Sequence, residues 1–394
     1  MTVAYLDNNA TTRVDREIAE AMSPFFSESF GNASSNHAHG AAVAPALKEA
    51  RQQVQALLGA EFDHEVVFTS GGTESNTTAI FSALETAPER NEIVTSLVEH
   101  PSVLGVCQHL ERTGRARVHY IGVNASGDLD LDALQASLSD KTALVSIMWA
   151  NNETGRIFPV EEIASLAKSA GALFHTDAVQ AFGKMSMALK ETAIDLMSLS
   201  GHKIHGPKGV GALYLRKGVE LNPLFRGGRQ ERGRRAGTEN VPGIVGLGAA
   251  AKRARRTLAE DIARIENLRD RLEAGLLASA PLARVNGGGG DRLPNTCNIS
   301  FDHADSEAVL HGLDRAGVAA SSGSACALGS MEPSHVLRAL NLPPSALQGA
   351  IRFSLSRETT DEDIAKVLAV LPDIVARVRE KSPLWADARP SRVA

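Results

Sequence analysis

Cysteine is scarce in this chain: Cys107, Cys297 and Cys326 are all that 394 positions contain. An odd, widely spaced set excludes a disulfide framework and points to free thiols in a reducing compartment. Long apolar runs are missing too; none approaches the ~20 residues that cross a bilayer. The N-terminus lacks a basic region followed by an apolar stretch, so no signal peptide is expected and the expected location is the cytoplasm. Charge is nearly balanced, 41 Lys and Arg against 46 Asp and Glu, for a net charge of −5. That balance, with aromatics at 4%, argues against nucleic acid and membrane surfaces as partners. Two phosphate-binding signatures are absent: the turn at Gly71-Gly72 fits neither the dinucleotide pattern G-x-G-x-x-G nor the Gly-Lys-Ser/Thr of a P-loop. No internal repeat occurs, and no low-complexity tail beyond a polar C-terminal end.

What is present reads as a soluble globular chain, 43% hydrophobic and 22% charged, long enough for two domains. Short apolar runs alternate with helical periodicity. Strands are expected at Val66–Phe68, Glu92–Ser96, Ala143–Met148, Ala172–Asp177 and Ile194–Leu199, and helices at Ser75–Leu84, Val103–Leu110 and Pro159–Ala170. This alternation predicts a mostly parallel sheet with helices on both faces. From Thr257 on, Leu258, Ile262, Ile265, Leu268, Leu272 and Leu276 recur at spacings of three and four, one long amphipathic helix leading to a second domain. Asn286 to Asp291 is a glycine-run loop. A second apolar pattern starts at Asn298–Phe301 and ends with a helix over Asp361–Lys381.

The chemistry concentrates at strand ends. Lys203, in Ser200-Gly201-His202-Lys203, follows a buried strand and is flanked by small and hydroxyl residues. A desolvated amine in such a place is a nucleophile toward aldehydes, although a lone loop lysine is more often a surface charge. Asp177 closes the preceding strand, twenty-six residues earlier; alone it reads as a turn or helix-cap residue. A pyridoxal phosphate (PLP) enzyme needs both a Schiff-base lysine and an acid that keeps the pyridinium nitrogen protonated, and open α/β geometry places such a pair at carboxyl strand ends. Phe68-Thr69-Ser70-Gly71-Gly72-Thr73-Glu74-Ser75-Asn76 puts glycines between a strand and a helix, where backbone N–H groups approach an anion and Thr73 adds a hydroxyl.

Together these motifs resemble the class V PLP enzymes and, within them, cysteine desulfurases of the NifS type. Matching stretches run from Tyr5-Leu6-Asp7-Asn8-Asn9-Ala10-Thr11-Thr12 to Ser382-Pro383-Leu384-Trp385, including Met148-Trp149-Ala150-Asn151-Asn152-Glu153-Thr154-Gly155 and Gly233-Arg234-Arg235-Ala236-Gly237-Thr238-Glu239-Asn240. The resemblance implies an α/β fold of PLP-dependent transferase type I. It expects a large domain, 15–261, with a mostly parallel seven-stranded sheet, and a smaller α+β domain, 1–14 plus 262–394, that carries the catalytic cysteine.

The same resemblance assigns roles. Lys203 holds PLP and moves the α-proton of the substrate; Asp177 faces the ring nitrogen; His100, in Val98-Glu99-His100-Pro101-Ser102, stacks on the ring and relays protons, as imidazole chemistry suits. Gln180 faces the ring hydroxyl, while Gly72, Thr73, Ser200 and His202 take the phosphate, with Thr238 added from a partner subunit. Arg352, in Ile351-Arg352-Phe353-Ser354-Leu355-Ser356-Arg357, binds the substrate carboxylate by a two-pronged bond, helped by Asn152; from sequence alone an exposed strand charge is the competing reading. Cys326, in Ser321-Ser322-Gly323-Ser324-Ala325-Cys326-Ala327-Leu328, is the persulfide-forming thiol on a small-residue loop expected to be exposed and mobile. Ala327-Leu328 departs from the more polar residues usual there. Cys107 and Cys297 read as packing residues. The arginines at 226, 229, 232, 234 and 235 are assigned to a dimer interface. His202 and His205 suggest a metal pair, but no thiolate or carboxylate cluster completes it in the sequence, so no metal ligands are expected.

The implied reaction converts L-cysteine to L-alanine and hands sulfur to an iron–sulfur scaffold protein, in the NifS branch for nitrogenase. Alternatives are the housekeeping iron–sulfur branch, a selenocysteine lyase, a class V aminotransferase that needs no thiol, and a non-catalytic scaffold on the same fold.

Overall fold

Seven short strands form the main sheet of the computed structural model, which describes residues 3–322, 333–382 and Trp385. In chain order the strands are β1 (Ala4–Tyr5), β2 (Val66–Thr69), β3 (Glu92–Ser96), β4 (Arg117–Ile121), β5 (Thr142–Ser146), β6 (Leu173–Asp177), β7 (Leu196–Ser200), β8 (Gly211–Leu215), β9 (Ala283–Val285), β10 (Thr296–Phe301), β11 (Val318–Ala319) and β12 (Ala350–Ser354). The main sheet has the order β2-β8-β7-β6-β5-β3-β4. Its inner pairs are parallel, and only β8 runs against its neighbours β7 and β2. The expected mostly parallel seven-stranded sheet is therefore the one observed.

Every residue of β5, β7 and β8 is buried, which requires cover on both faces. The two-residue period of a strand sorts the side chains. Val67, Ile93, Leu144 and Leu213 join one cluster with Ala79, Ile80 and Cys107. Their neighbours Val66, Val94, Val145 and Ala212 join another with Ile163, Ala164 and Leu247. All carboxyl ends of the parallel strands then open on the same edge, the general location of ligand sites in such sheets.

A second, antiparallel sheet, β12-β10-β9, and the parallel pair β1–β11 lie apart from the first. They share a third apolar cluster that starts at Ala4 and Leu6, resumes at Ile265 and runs to Val375. Thus the N-terminal strand packs with residues far along the chain, and the segment after it, Asp7–Thr12, crosses between the two sheets.

One helix differs from its expected length. It spans Val241–Ser279, sixteen residues longer at its start than the periodicity from Thr257 shows. In the added part Gly243, Gly246, Gly248, Ala250 and Ala251 are buried together with Val241, Ile244 and Leu247, so no polar face marks a helical period. Gly248 is required there: a Cβ would come within 2.4 Å of Ala50 Cα on the neighbouring helix Ala44–Leu58.

His175 on β6 ties three central strands, bonding Ser146 Oγ of β5 at 2.8 Å and Ser198 Oγ of β7 at 2.9 Å. Burial pushes its proton affinity down to about 3, and that of His202 and His205 down to about 4. The unfolded chain protonates these rings near pH 6.5, so in acid it binds more protons than the fold does and stability falls as pH drops from ~6.5 toward 4, by up to about 1.4 kcal/mol per pH unit per ring. His175→Asn is expected to lower the overall stability but make its decline between pH 6.5 and 4.5 shallower, measured by denaturant midpoints. An unchanged slope contradicts the assignment.

Candidate active site

The carboxyl edge of the main sheet and the crossing segment Asp7–Thr12 enclose a cavity of about 550 Å³. Gly72, Thr73, His100, Asn152, Asp177, Gln180, Ser200, His202, Lys203 and Arg352 all line it, so residues spread over 281 positions of sequence meet at one place.

Asp177 ends β6 and is 5% exposed. Its Oδ2 accepts from Asn76 Nδ2 at 2.7 Å and its Oδ1 from the Val179 amide at 3.0 Å. Asn76 also donates to Ser102 Oγ at 2.8 Å, and Ser102 Oγ lies 2.8 Å from His100 Nδ1. The Ser102 amide donates to that same nitrogen at 3.1 Å, as His100 caps the helix Pro101–Arg112. Nδ1 is thus an acceptor, which assigns the N–H of the neutral ring to Nε2. Burial lowers the proton affinity of His100; Asp177 works upward, while Lys203 and His335 reinforce the fall.

Lys203 sits just past β7, and its amine donates to the carbonyls of Asn9 at 2.5 Å and Ala10 at 2.8 Å. At the opposite end, the helix Gly72–Thr86 starts beside β7. Gly71 has φ +154° and Ser200 Oγ lies near it; a Cβ on Gly72 would come within 2.6 Å of Val179 Cγ2. Backbone amides at this helix start, with Thr73, Ser200 and His202 around them, form a cradle for an anion. His202 bonds Thr11 Oγ1 at 3.2 Å.

Arg352 on β12 is 1% exposed, which overturns the exposed-strand reading. Its guanidinium donates to Asp7 Oδ1 at 2.8 Å and to the Asn152 carbonyl at 3.1 Å. Asn152 thus supports Arg352 through its backbone.

Thr238 is not brought to this cavity. It lines a separate one of about 230 Å³ with Ser70, Gly209 and Arg235. Around it, Arg235 forks onto Glu74 at 2.8 and 3.1 Å and Arg226 reaches Glu85 at 2.9 Å. Glu231, in the same loop, is held by Arg51 through two bonds of 2.7 Å. Cys326 lies outside the described residues. Cys107 and Cys297 are fully buried, and burial raises both thiols, Cys107 up to about 12, so both are inert packing residues. The pair His202/His205 gains a carboxylate neighbourhood that the sequence does not reveal: Asp15 and Glu358 come close to His205. Arg13 binds Glu358, and Arg253 and Arg357 bind Asp15, so arginine already neutralises both acids.

Five further residues of the site escape sequence reasoning. Asn9, Asn76, Glu153 and His335 line the cavity, and Lys184 lies behind it. Asparagine carries no sign of burial in a sequence. Lys184 does leave a trace, as a lone charge within Ala178-Val179-Gln180-Ala181-Phe182-Gly183-Lys184-Met185.

These groups fit PLP. An anion cradle, a buried amine and a buried carboxylate line one cavity. Among the described residues, the hydrogen-bond partners of Asp177 are neutral, so a protonated ring nitrogen would supply the cation that this acid lacks.

The chain is similar to known proteins over nearly its whole length. The family model described as aminotransferase class-V matches residues 4–367. A cysteine desulfurase of Gluconacetobacter diazotrophicus is 63% identical over 388 residues, 98% of this chain and 97% of that protein. The cysteine desulfurase NifS of Azotobacter vinelandii is 56% identical over 390 residues, 99% of this chain and 97% of that protein. Among solved structures, a NifS-like protein superposes with a TM-score of 0.89 at 38% identity, covering 96% of this chain and 100% of that one. SspA in complex with cysteine gives a TM-score of 0.79 at 35% identity, covering 90% and 99%.

The wiring of His100 has a measurable sign. In the cofactor-free protein, the His100 ring, assigned by its loss in His100→Gln, is expected to titrate in NMR spectra below the ordinary ~6.5. Asp177→Asn removes the one charge that raises it and should move the midpoint lower still. A midpoint that rises in Asp177→Asn refutes this arrangement.

Proposed function

The chain belongs to the aminotransferase class-V family, and on that premise we propose that it is a PLP-dependent cysteine desulfurase whose residues act as follows. The observation that carries the proposal is the convergence of Lys203, Asp177, His100 and Arg352 on one cavity. Bound PLP supplies an electron sink for the α-carbon of an amino acid. Gly72, Thr73, Ser200 and His202 hold its phosphate, Asp177 keeps its ring nitrogen protonated, and Lys203 anchors it. Arg352, aimed by Asp7, takes the substrate carboxylate through a forked pair of bonds, with Asn152 beside it. The Lys203 amine would also be the base that accepts the α-proton of the substrate. His100 Nε2–H faces the opposite need, a donor and relay near the ring.

The sulfur step belongs to Cys326. Its thiolate attacks the sulfur of L-cysteine, the carbon–sulfur bond breaks, and the electron pair stays with the carbon skeleton that leaves as L-alanine. A persulfide remains on Cys326, from which an iron–sulfur scaffold protein takes the sulfur; the NifS-type resemblance favours nitrogenase clusters as the destination. The enzyme works in the cytoplasm as a homodimer, in which Thr238 and the arginine loop complete the partner subunit's phosphate site. The domain division 15–261 and 1–14 plus 262–394 is proposed with it, supported by the separate apolar cluster that joins Ala4 and Leu6 to Ile265–Val375.

Cys326→Ala should bind PLP and L-cysteine with native spectra yet release almost no sulfide. In the native enzyme, brief exposure to L-cysteine without reductant should add one sulfur atom to the Cys326 peptide and none to those of Cys107 and Cys297, read by mass spectrometry. Normal sulfide release from Cys326→Ala, or sulfur on another cysteine, defeats the proposed mechanism.

A further inference from the structure

Lys184 lies behind the site, and the proposed reaction does not use it. Its amine donates to Gln180 Oε1 at 2.7 Å and to Asn9 Oδ1 at 3.0 Å. Both partners are neutral amide oxygens. Gln180 in turn donates through Nε2 to the Asn9 carbonyl at 3.0 Å, the same oxygen that accepts from Lys203 at 2.5 Å. Lys184 and Lys203 therefore hold the two oxygens of one asparagine, and Gln180 is clamped between the Lys184 amine and the Asn9 carbonyl.

This wiring decides which way the Gln180 amide faces. An amine can only offer hydrogens to an amide oxygen when it acts as donor, and a carbonyl can only accept. Lys184 on one side and the Asn9 carbonyl on the other admit a single orientation: oxygen toward Lys184, NH2 toward Asn9 and the cavity that Gln180 lines. One hydrogen of that NH2 goes to Asn9, which leaves the second for a group in the cavity. We propose that Lys184 is a positioning residue: it locks the Gln180 amide so that an N–H, not the oxygen, is presented to the ring oxygen of bound cofactor. The proposal rests on the PLP reading above.

The geometry holds whatever the charge of Lys184. Burial first, then Lys203 and Arg352, push its proton affinity well below that of an ordinary lysine, but a neutral amine still has two hydrogens for two acceptors. The other titratable groups lining the small void behind the site are Lys203, His205, Asp261 and Arg357. Asp261 accepts from Thr257 Oγ1 at 2.6 Å, and Arg357 is bound to Asp15.

The test is the pH titration of the visible cofactor band in holoenzyme. A donor to the ring oxygen withdraws electron density and weakens that oxygen's hold on the proton that sets the band. Losing it moves the midpoint to higher pH. Lys184→Met, which removes every donor, is expected to bind cofactor in native amount and to shift the midpoint up by roughly half a pH unit to one. Lys184→Gln, one bond too short to reach both oxygens, should shift it less. In a Gln180→Ala background, Lys184→Met should add almost nothing, because its effect passes through that amide. A folded, cofactor-loaded variant of either kind with the native midpoint overturns the proposal, as does full additivity with Gln180→Ala. Absence of a visible band from the native protein would instead overturn the cofactor reading.

Discussion

The site depends on the saturation of Asn9. This residue is 2% exposed and every polar atom it has is engaged. Its amide donates to Ser354 Oγ at 2.9 Å, and its side-chain NH2 donates to Thr296 Oγ1 at 2.8 Å and the Asn152 carbonyl at 3.1 Å. Its side-chain oxygen accepts from Lys184 and from Asn295, the latter at 2.9 Å, and its carbonyl accepts from Gln180 and Lys203. Ser354, Thr296 and Asn295 belong to or adjoin the small sheet; Asn152, Gln180, Lys184 and Lys203 follow strands of the large one. One buried asparagine thus joins both sheets to the amine on which the chemistry turns. Each bond contributes only about 1 kcal/mol net, but an unsatisfied partner left behind costs more, so the network holds as a unit.

Charge is arranged with the same economy. Lys203 and Arg352 line the cavity and Lys184 lies behind it; burial first, then those two charges, depress the proton affinity of Lys184. Two carboxylates answer them unequally. Asp7 is bound to Arg352, whereas Asp177 is held by Asn76 and a backbone amide. The one acid is therefore committed to orienting a guanidinium, and the other remains available to a cationic ring. Asp7 and the Asn152 carbonyl help Arg352 stay buried, since an isolated charge in such a place costs several kcal/mol.

Much of this was legible in the sequence, for physical reasons that differ by residue. The strands that carry Asp177 and Ser200 show as short apolar runs because a parallel sheet is buried on both faces, and a lysine or acid at the end of such a run stands out. The glycines before the helix Gly72–Thr86 mark the cradle. The first eleven residues of the helix Val241–Ser279 were hidden because that stretch, up to Ala251, is apolar throughout and offers no polar face for periodicity to show. Asn9 and Asn76 were hidden for another reason: their roles arise from contacts with residues far along the chain, as with the 101 positions that separate Asn76 from Asp177, and no local pattern records those. Thr238 lines a cavity separate from the site of its own chain.

Trapping the cofactor on its lysine tests the central claim most directly. Native protein, reduced with borohydride and digested, should yield one peptide that carries the cofactor, and fragmentation should place it on Lys203. Attachment at Lys184, whose amine hydrogen-bonds to the same asparagine, or recovery of unmodified peptides for both lysines from a protein that binds PLP, would contradict the account.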